Sequence, residues 1–245
     1  MISRGVKLVT LAWFAAMLVA IANAPAVTTP SRTPSESGYI YLSDNSDWWS
    51  FTRWSCCEPA SAKPPRMMEE RLFQVAGVSL EWAWREGSLN RDWLEDIQSK
   101  FGKAIIVSRG DGAMGREQVC YKTAADSTRV KLIFEHNETF NSFFALRGGP
   151  DWKGSQYCVS SSAVSDGLAL TNGLKLGMTK NQVESVLGVP SYTASNKYVY
   201  LFHELRTETV PAENEGLEFE INASIELRFS EGKVSYLRAT RYEVN

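Results

Sequence analysis

The chain has 245 residues, with 26 Lys and Arg against 28 Asp and Glu, a formal net charge of −2. Arg4 and Lys7 lie in an N-terminal segment read below as removed; without them the balance is 24 − 28, or −4. That near-neutral balance excludes a strong nucleic-acid binder, which needs clustered cations against phosphates. At 44% hydrophobic and 22% charged, the composition also excludes a disordered or collagen-like chain.

Residues 1–26 read as a secretory signal peptide. Arg4 and Lys7 form a positive start, Leu8 to Ile21 is apolar apart from Thr10, and Ala22-Asn23-Ala24 supplies small residues around a cleavage point. Pro25 is awkward just after that point, so cleavage after Ala26 is the alternative. The apolar run is shorter than the roughly 20 residues a membrane span needs. No Cys follows it and Arg4 stands alone, so neither a lipid anchor nor a twin-Arg signal is indicated. Residues 27–65 come next: a Ser, Thr and Pro linker, then an irregular aromatic segment holding Trp48, Trp49, Phe51 and Trp54.

Regular structure is expected from Arg66. Leu89 and Leu94 can bracket an Asn90 cap, and Leu94, Ile97 and Phe101 give a helical stripe. Strand-like runs follow over Gln118 to Lys122, Val130 to Glu135 and Phe140 to Arg147. The same order recurs from Leu176. Thr179 is placed to cap a helix and Gln182 to complete a capping box, with Val183, Val186 and Leu187 as its stripe. Gly188 suits a left-handed C-terminus and Pro190 prevents continuation. Lys197 to Leu205 is strand-like, Leu217, Phe219 and Ile221 alternate with polar residues, and so do Ile225, Leu227 and Phe229. Glu231-Gly232 then turns the chain into Lys233 to Ala239. The expected fold is α+β: two tandem helix-plus-antiparallel-sheet units, 66–165 and 166–245.

Export makes disulfides chemically accessible. Of four Cys, Cys120 and Cys158 sit in apolar strand-like contexts and are the favoured pair; Cys56 and Cys57 remain open between a vicinal bridge, free thiols and pairing across chains. Gly110-Asp-Gly-Ala-Met-Gly115 fits the GxGxxG pattern, with Glu135 placed for a ribose hydroxyl, but the residues after it suit a strand, so a hairpin loop is the preferred reading. Arg109-Gly110-Asp111 in that loop is read as a chance tripeptide. His136 is read as a solvated turn residue beside Glu135 and Glu138, and His203 as a sheet residue. Cys57 has no local partner for thiol catalysis. The pattern calls for no metal, no cofactor and no catalytic residue. Asn137-Glu-Thr139 and Asn222-Ala-Ser224 are glycosylation sequons only in a eukaryotic source.

Residues 174–245 resemble the BamE (SmpA, OmlA) family of small outer-membrane assembly lipoproteins. The matching residues are Leu176-Gly-Met-Thr179, Val183, Leu187-Gly188, Pro190, Tyr198-Val-Tyr200 and Leu227-Arg-Phe-Ser-Glu-Gly-Lys-Val234. Two such units in tandem look like β-lactamase inhibitor protein. The resemblance implies a bacterial source and a non-catalytic binding module of the periplasm or cell envelope, with secretion as the alternative location. An enzyme inhibitor using the 109–115 loop is the second reading and an exported enzyme the third.

The expected partner is a protein; neither nucleic acid nor a stable membrane anchor is expected once the signal is removed. If Ile225, Leu227 and Phe229 pack on the helix, and Val199, Leu201 and Leu205 share that side, then Tyr198, Tyr200, Phe202, Arg228, Tyr236 and Arg238 point outward as a binding face. The opposite register would bury the aromatics of the 197–205 strand. Trp48, Trp49 and Trp54 are the further binding candidates, since Trp is enriched at interface hot spots.

Overall fold

Three long strands near the C-terminal end of the chain set the architecture. Lys197–Glu208 (β11), Leu217–Ser230 (β12) and Lys233–Val244 (β13) are antiparallel neighbours. Glu231 and Gly232 link the last two with φ of 51° and 76°, the paired positive φ of a tight hairpin turn. The computed structural model describes residues 39–42, 63–80, 91–109, 116–124, 130–137, 141–148, 155–208 and 217–244. Residues 1–26, expected as a signal peptide, and Trp48, Trp49, Trp54, Cys56, Cys57 and residues 110–115 lie outside the described residues.

Four further strands extend the sheet: Ile106–Arg109 (β5), Arg116–Lys122 (β6), Lys131–Asn137 (β7) and Asn141–Arg147 (β8). Tyr39–Leu42 (β1) pairs parallel to β5, and Tyr192–Ala194 (β10) pairs antiparallel to β11. The order is β1-β5-β6-β7-β8-β13-β12-β11-β10. Arg66–Met67 (β2) adds in parallel to β11, and Val159–Ser160 (β9) to β6. A separate hairpin joins Gln74–Val75 (β3) to Val78–Ser79 (β4). Arg91–Phe101 (α1) and Lys180–Leu187 (α2) are the two helices among the described residues.

The expected pair of tandem helix-plus-sheet units is therefore incorrect. Among the described residues the chain is mostly β, with one continuous mixed sheet of 11 strands. The physical cause is the pairing of β8 with β13, from Tyr236 opposite Arg147 to Tyr242 opposite Asn141. Two separate meanders would each leave a row of backbone donors and acceptors open at that edge, and the pairing satisfies both rows. Both helices also share one core. Trp93, Leu94, Ile97 and Phe101 of α1 and Val183 and Leu187 of α2 belong to a single buried cluster with the strands.

The segment from Lys63 to Leu80 ties the two sequence halves together. The Arg66 guanidinium donates to the carbonyls of Leu187 and Val189 and lies 5.3 Å over the Tyr200 ring. Phe73 meets Phe202 edge to face at 5.3 Å. Glu70 accepts from Arg241 at 3.0 Å and from Arg206 at 3.2 Å. Arg241 is fully buried, so its pairing offsets the large cost of burying a charge.

Candidate functional site

Strand pairing assigns every side chain to one of two faces, because residues directly opposite each other share a face. On the helix side, Tyr121, Leu132, Leu146, Leu237, Leu227 and Tyr198 form one row across β6, β7, β8, β13, β12 and β11. Beside it runs Val119, Phe134, Phe144, Ala239, Ile225 and Tyr200. These two rows are the floor of the core, and all but Tyr198 are buried.

Tyr198, Tyr200 and Phe202 therefore do not point outward. They stand opposite Leu227, Ile225 and Ala223, on the packed side. The Tyr200 hydroxyl donates to the Gly188 carbonyl at 3.1 Å, and burial raises its pKa. The Tyr198 hydroxyl donates to Glu184 at 2.9 Å, with the Phe229 ring 5.0 Å away and Lys180 5.3 Å over its own ring. Val199, Leu201 and Leu205 face the other way, and Leu205 is exposed. The register is the opposite one because α2 ends over this strand. Gly188, with φ 70° and ψ −159°, has a conformation close to glycine-only and brings its carbonyl to the Tyr200 ring's hydroxyl.

The helix itself is closed by local groups. Thr179 Oγ1 accepts from the Gln182 amide at 3.4 Å, and the Thr179 amide donates to Gln182 Oε1 at 2.9 Å. The Gly188 amide donates to the Glu184 carbonyl at 2.7 Å, and buried Pro190 follows.

Arg228, Tyr236 and Arg238 do lie on the face opposite the helices, but the setting differs from an open aromatic patch. Moving one residue along each strand from the Tyr121–Tyr198 row gives Lys122, Lys131, Arg147, Tyr236, Arg228 and Lys197. This is five cations and one tyrosine on six adjacent strands. The next row on this face is Cys120, Ile133, Ala145, Arg238, Glu226 and Val199. Lys131 and Tyr236 are buried, Lys122, Arg147 and Lys197 half-buried, and the Arg228 side chain is 44% exposed.

Glu226 organises one end of this site. Its carboxylate accepts from Arg228 Nε at 2.7 Å and pairs with Lys197 Nζ at 3.0 Å. Burial raises its pKa, but the hydrogen bonds from Arg228 and Lys197 outweigh burial, and the net shift is downward. Arg228 also lies 4.9 Å over the Tyr236 ring. Burial pushes the Tyr236 hydroxyl up to about 12, so it stays protonated across the neutral range. Burial lowers the pKa of Arg147; Tyr236 opposes that shift and the like charge of Arg228 adds to it. Tyr236 further joins Val107, Cys120, Ile133, Ala145 and Cys158 in a small apolar cluster on this face. Within it Cys120 and Cys158 are disulfide-bonded, 38 residues apart in sequence.

Other candidates resolve as follows. His136 is a buried β7 residue rather than a turn residue, with Trp93 in edge contact at 6.0 Å and Glu117 at 3.6 Å. His203 lies on β11, 3.3 Å from Glu220. The residues after the 110–115 loop form β6, antiparallel to β5, so the helix a dinucleotide site requires does not follow that loop. Among the described residues no three of His, Cys, Asp and Glu converge, and no helix is long and apolar enough to cross a membrane. Reading the sequence alone overlooked Lys122, Lys131, Arg147, Lys197 and Glu226. Each neighbours a core position, but only the pairing of six strands makes them a row.

No family model, curated protein or solved structure matches this chain.

Proposed function

We propose that the protein is an exported, non-catalytic binding module that engages a protein partner with the sheet face opposite its helices, on the β11–β13 side. The observation that supports this most is the exposed Arg228 stacked over Tyr236 on the sheet face opposite α1 and α2. Arg and Tyr are residue types that carry binding energy at interfaces. The apolar N-terminal segment, the disulfide and the resemblance of residues 174–245 to envelope assembly lipoproteins support export and a binding role.

The test is site-specific photocrosslinking in the exporting cell. A crosslinking residue at Ser224, on the proposed face, should give a discrete adduct that Arg228→Gln abolishes. The same residue at Val186, exposed on α2, should give none. Adducts of equal strength from both positions, or from Val186 alone, would move the partner to the helix side.

A further inference from the structure

We infer that the outer edge of β11, from Glu204 to Glu208, takes up an extended segment of another protein as an added strand, apolar on one side and cationic on the other. This contact is separate from the Arg228 face. Lys197, opposite Arg228, lies about 27 Å along β11 from Leu205.

The first ground is an open ladder. β11 pairs with β12 in unbroken register, from Lys197 opposite Arg228 to Glu208 opposite Leu217. In such a pair, alternate residues turn their amide and carbonyl away from the partner strand. The Val199 carbonyl accepts from the Ser191 amide at 2.8 Å, and the Leu201 amide donates to Ser191 Oγ at 3.0 Å. The odd-numbered residues of β11 are thus the ones that face outward. β10 and β2 meet this edge only as far as His203, opposite Met67. The chain then leaves it, because Met68, Leu72 and Phe73 turn into the core. Among the described residues no strand pairs with 204–208 on that side, and the outward groups there belong to Leu205 and Thr207. An open strand edge is a template for another chain.

The second ground is what flanks that edge. Met67 is 77% exposed and Leu205 69%, two of the four large apolar side chains that stand in solvent among the described residues. Register puts both on the face opposite the helices, Met67 beside His203 and Leu205 two positions on. An added strand covers them with apolar side chains of its own. Charge selects the partner. Positions 204–208 and 217–221 carry four carboxylates and one guanidinium. Arg206 is already shared by Glu204 and Glu70, Glu220 lies 3.3 Å from His203, and Glu69 pairs with Arg71. The excess is therefore negative, and Lys or Arg on the added strand meets it with opposite charge. A second copy of this chain does not fit. β2 occupies the places opposite Phe202 and His203, so a closed dimer can pair only over 204–208. That sets Arg206 opposite Arg206 and Glu204 opposite Glu208, and like charges directly opposite are unfavourable.

The test uses the purified full chain and a fluorescein-labelled peptide of about eight residues that alternates Val and Lys, long enough to cover the edge, read by fluorescence anisotropy. This peptide should bind and an alternating Val and Glu peptide should not. N-methylation of every second amide should abolish binding in the phase that meets Leu205 and Thr207 and retain it in the other phase. Leu205→Lys should weaken binding by about tenfold, as the loss of one covered apolar side chain does, and Met67→Lys should weaken it too. Both side chains are exposed, so both variants should melt like the wild type. Leu205→Pro removes an outward amide that β12 does not use and should abolish binding; if it does not fold, the N-methylated pair decides. Val186→Lys, exposed on α2, should leave binding unchanged. No binding by wild type, equal binding in both methylation phases, or equal binding by wild type and Leu205→Lys would overturn the added strand. Equal binding of the Val and Glu peptide would overturn the cationic partner. A dimer in sedimentation that Leu205→Lys dissociates would place a second copy on the edge and overturn the choice of another protein.

Discussion

Two adjacent rows on the same six strands differ sharply in chemistry, one apolar and aromatic and the other mainly cationic. Tyr121-Leu132-Leu146-Leu237-Leu227-Tyr198 lies against the helices; one residue away on each strand lies Lys122-Lys131-Arg147-Tyr236-Arg228-Lys197. The same backbone register creates both. On the helix side, burial removes apolar area from water and stabilises the fold directly. On the other side, burying Lys131 has a desolvation cost, which its interactions must offset. The larger apolar core of the sheet therefore lies on one face, while the second face buries charged and polar side chains together with a smaller apolar cluster.

That contrast breaks most visibly at Tyr200. Its ring is fully buried, and its hydroxyl holds the carbonyl that ends α2. Tyr200→Ala should lower the unfolding free energy by about 3–5 kcal/mol, the usual loss for a large buried aromatic. Equilibrium denaturation of the two proteins measures it. A loss under about 1 kcal/mol would mean that the helix-side row is not the principal core.

The same residue shows what the sequence reveals and what it conceals. Thr179, Gln182 and Gly188 act within a few residues of one another, so the closures of α2 are legible locally. The alternation of Ile225, Leu227 and Phe229 likewise identifies one packed side of β12. On β11, however, Tyr198-Val199-Tyr200-Leu201-Phe202 is apolar at every position. Alternation then gives no face, and only the pairing of Tyr200 with Ile225 decides it. The union of β8 with β13 is concealed for the same reason, since the two strands are distant in sequence and no local pattern encodes their contact. Arg66 on the end of α2 is another case: the capping group lies 121 residues from the carbonyl it holds.

The second face has its own structural contribution in the Cys120–Cys158 bridge, so loss of it should sharpen the comparison. Replacing both residues by Ser should cost about 2–4 kcal/mol, the range for a bridge closing a loop of this kind. This is comparable with one large aromatic from the other face, and it comes from restricting the unfolded chain as well as from packing. Nonreducing peptide mapping of the purified protein should link the two cysteines. Linkage of each to Cys56 or Cys57 instead would remove the bridge from the account of this face.

The smallest effect is expected at Glu226, where charge rather than packing is at stake. Its folded pKa lies below the ordinary value, because the hydrogen bonds from Arg228 and Lys197 outweigh burial. A carboxyl depressed in this way stabilises the fold above its ordinary unfolded pKa and loses that contribution as pH falls through the folded value. Glu226→Gln removes the acid-sensitive part. Wild type should therefore exceed the variant by no more than about 1 kcal/mol near neutral pH, as partly exposed ion pairs do. The gap should be constant down to the ordinary Glu range and narrow below it. Thermal melts of both proteins from neutral to acidic pH give the curve. A gap that widens on acidification would mean the carboxyl binds its proton more readily folded than unfolded, and Arg228 and Lys197 would not be its dominant partners. A gap that also shrinks with added salt at neutral pH would mark the pair as solvent-screened, as the partly exposed Arg228 partner leads one to expect.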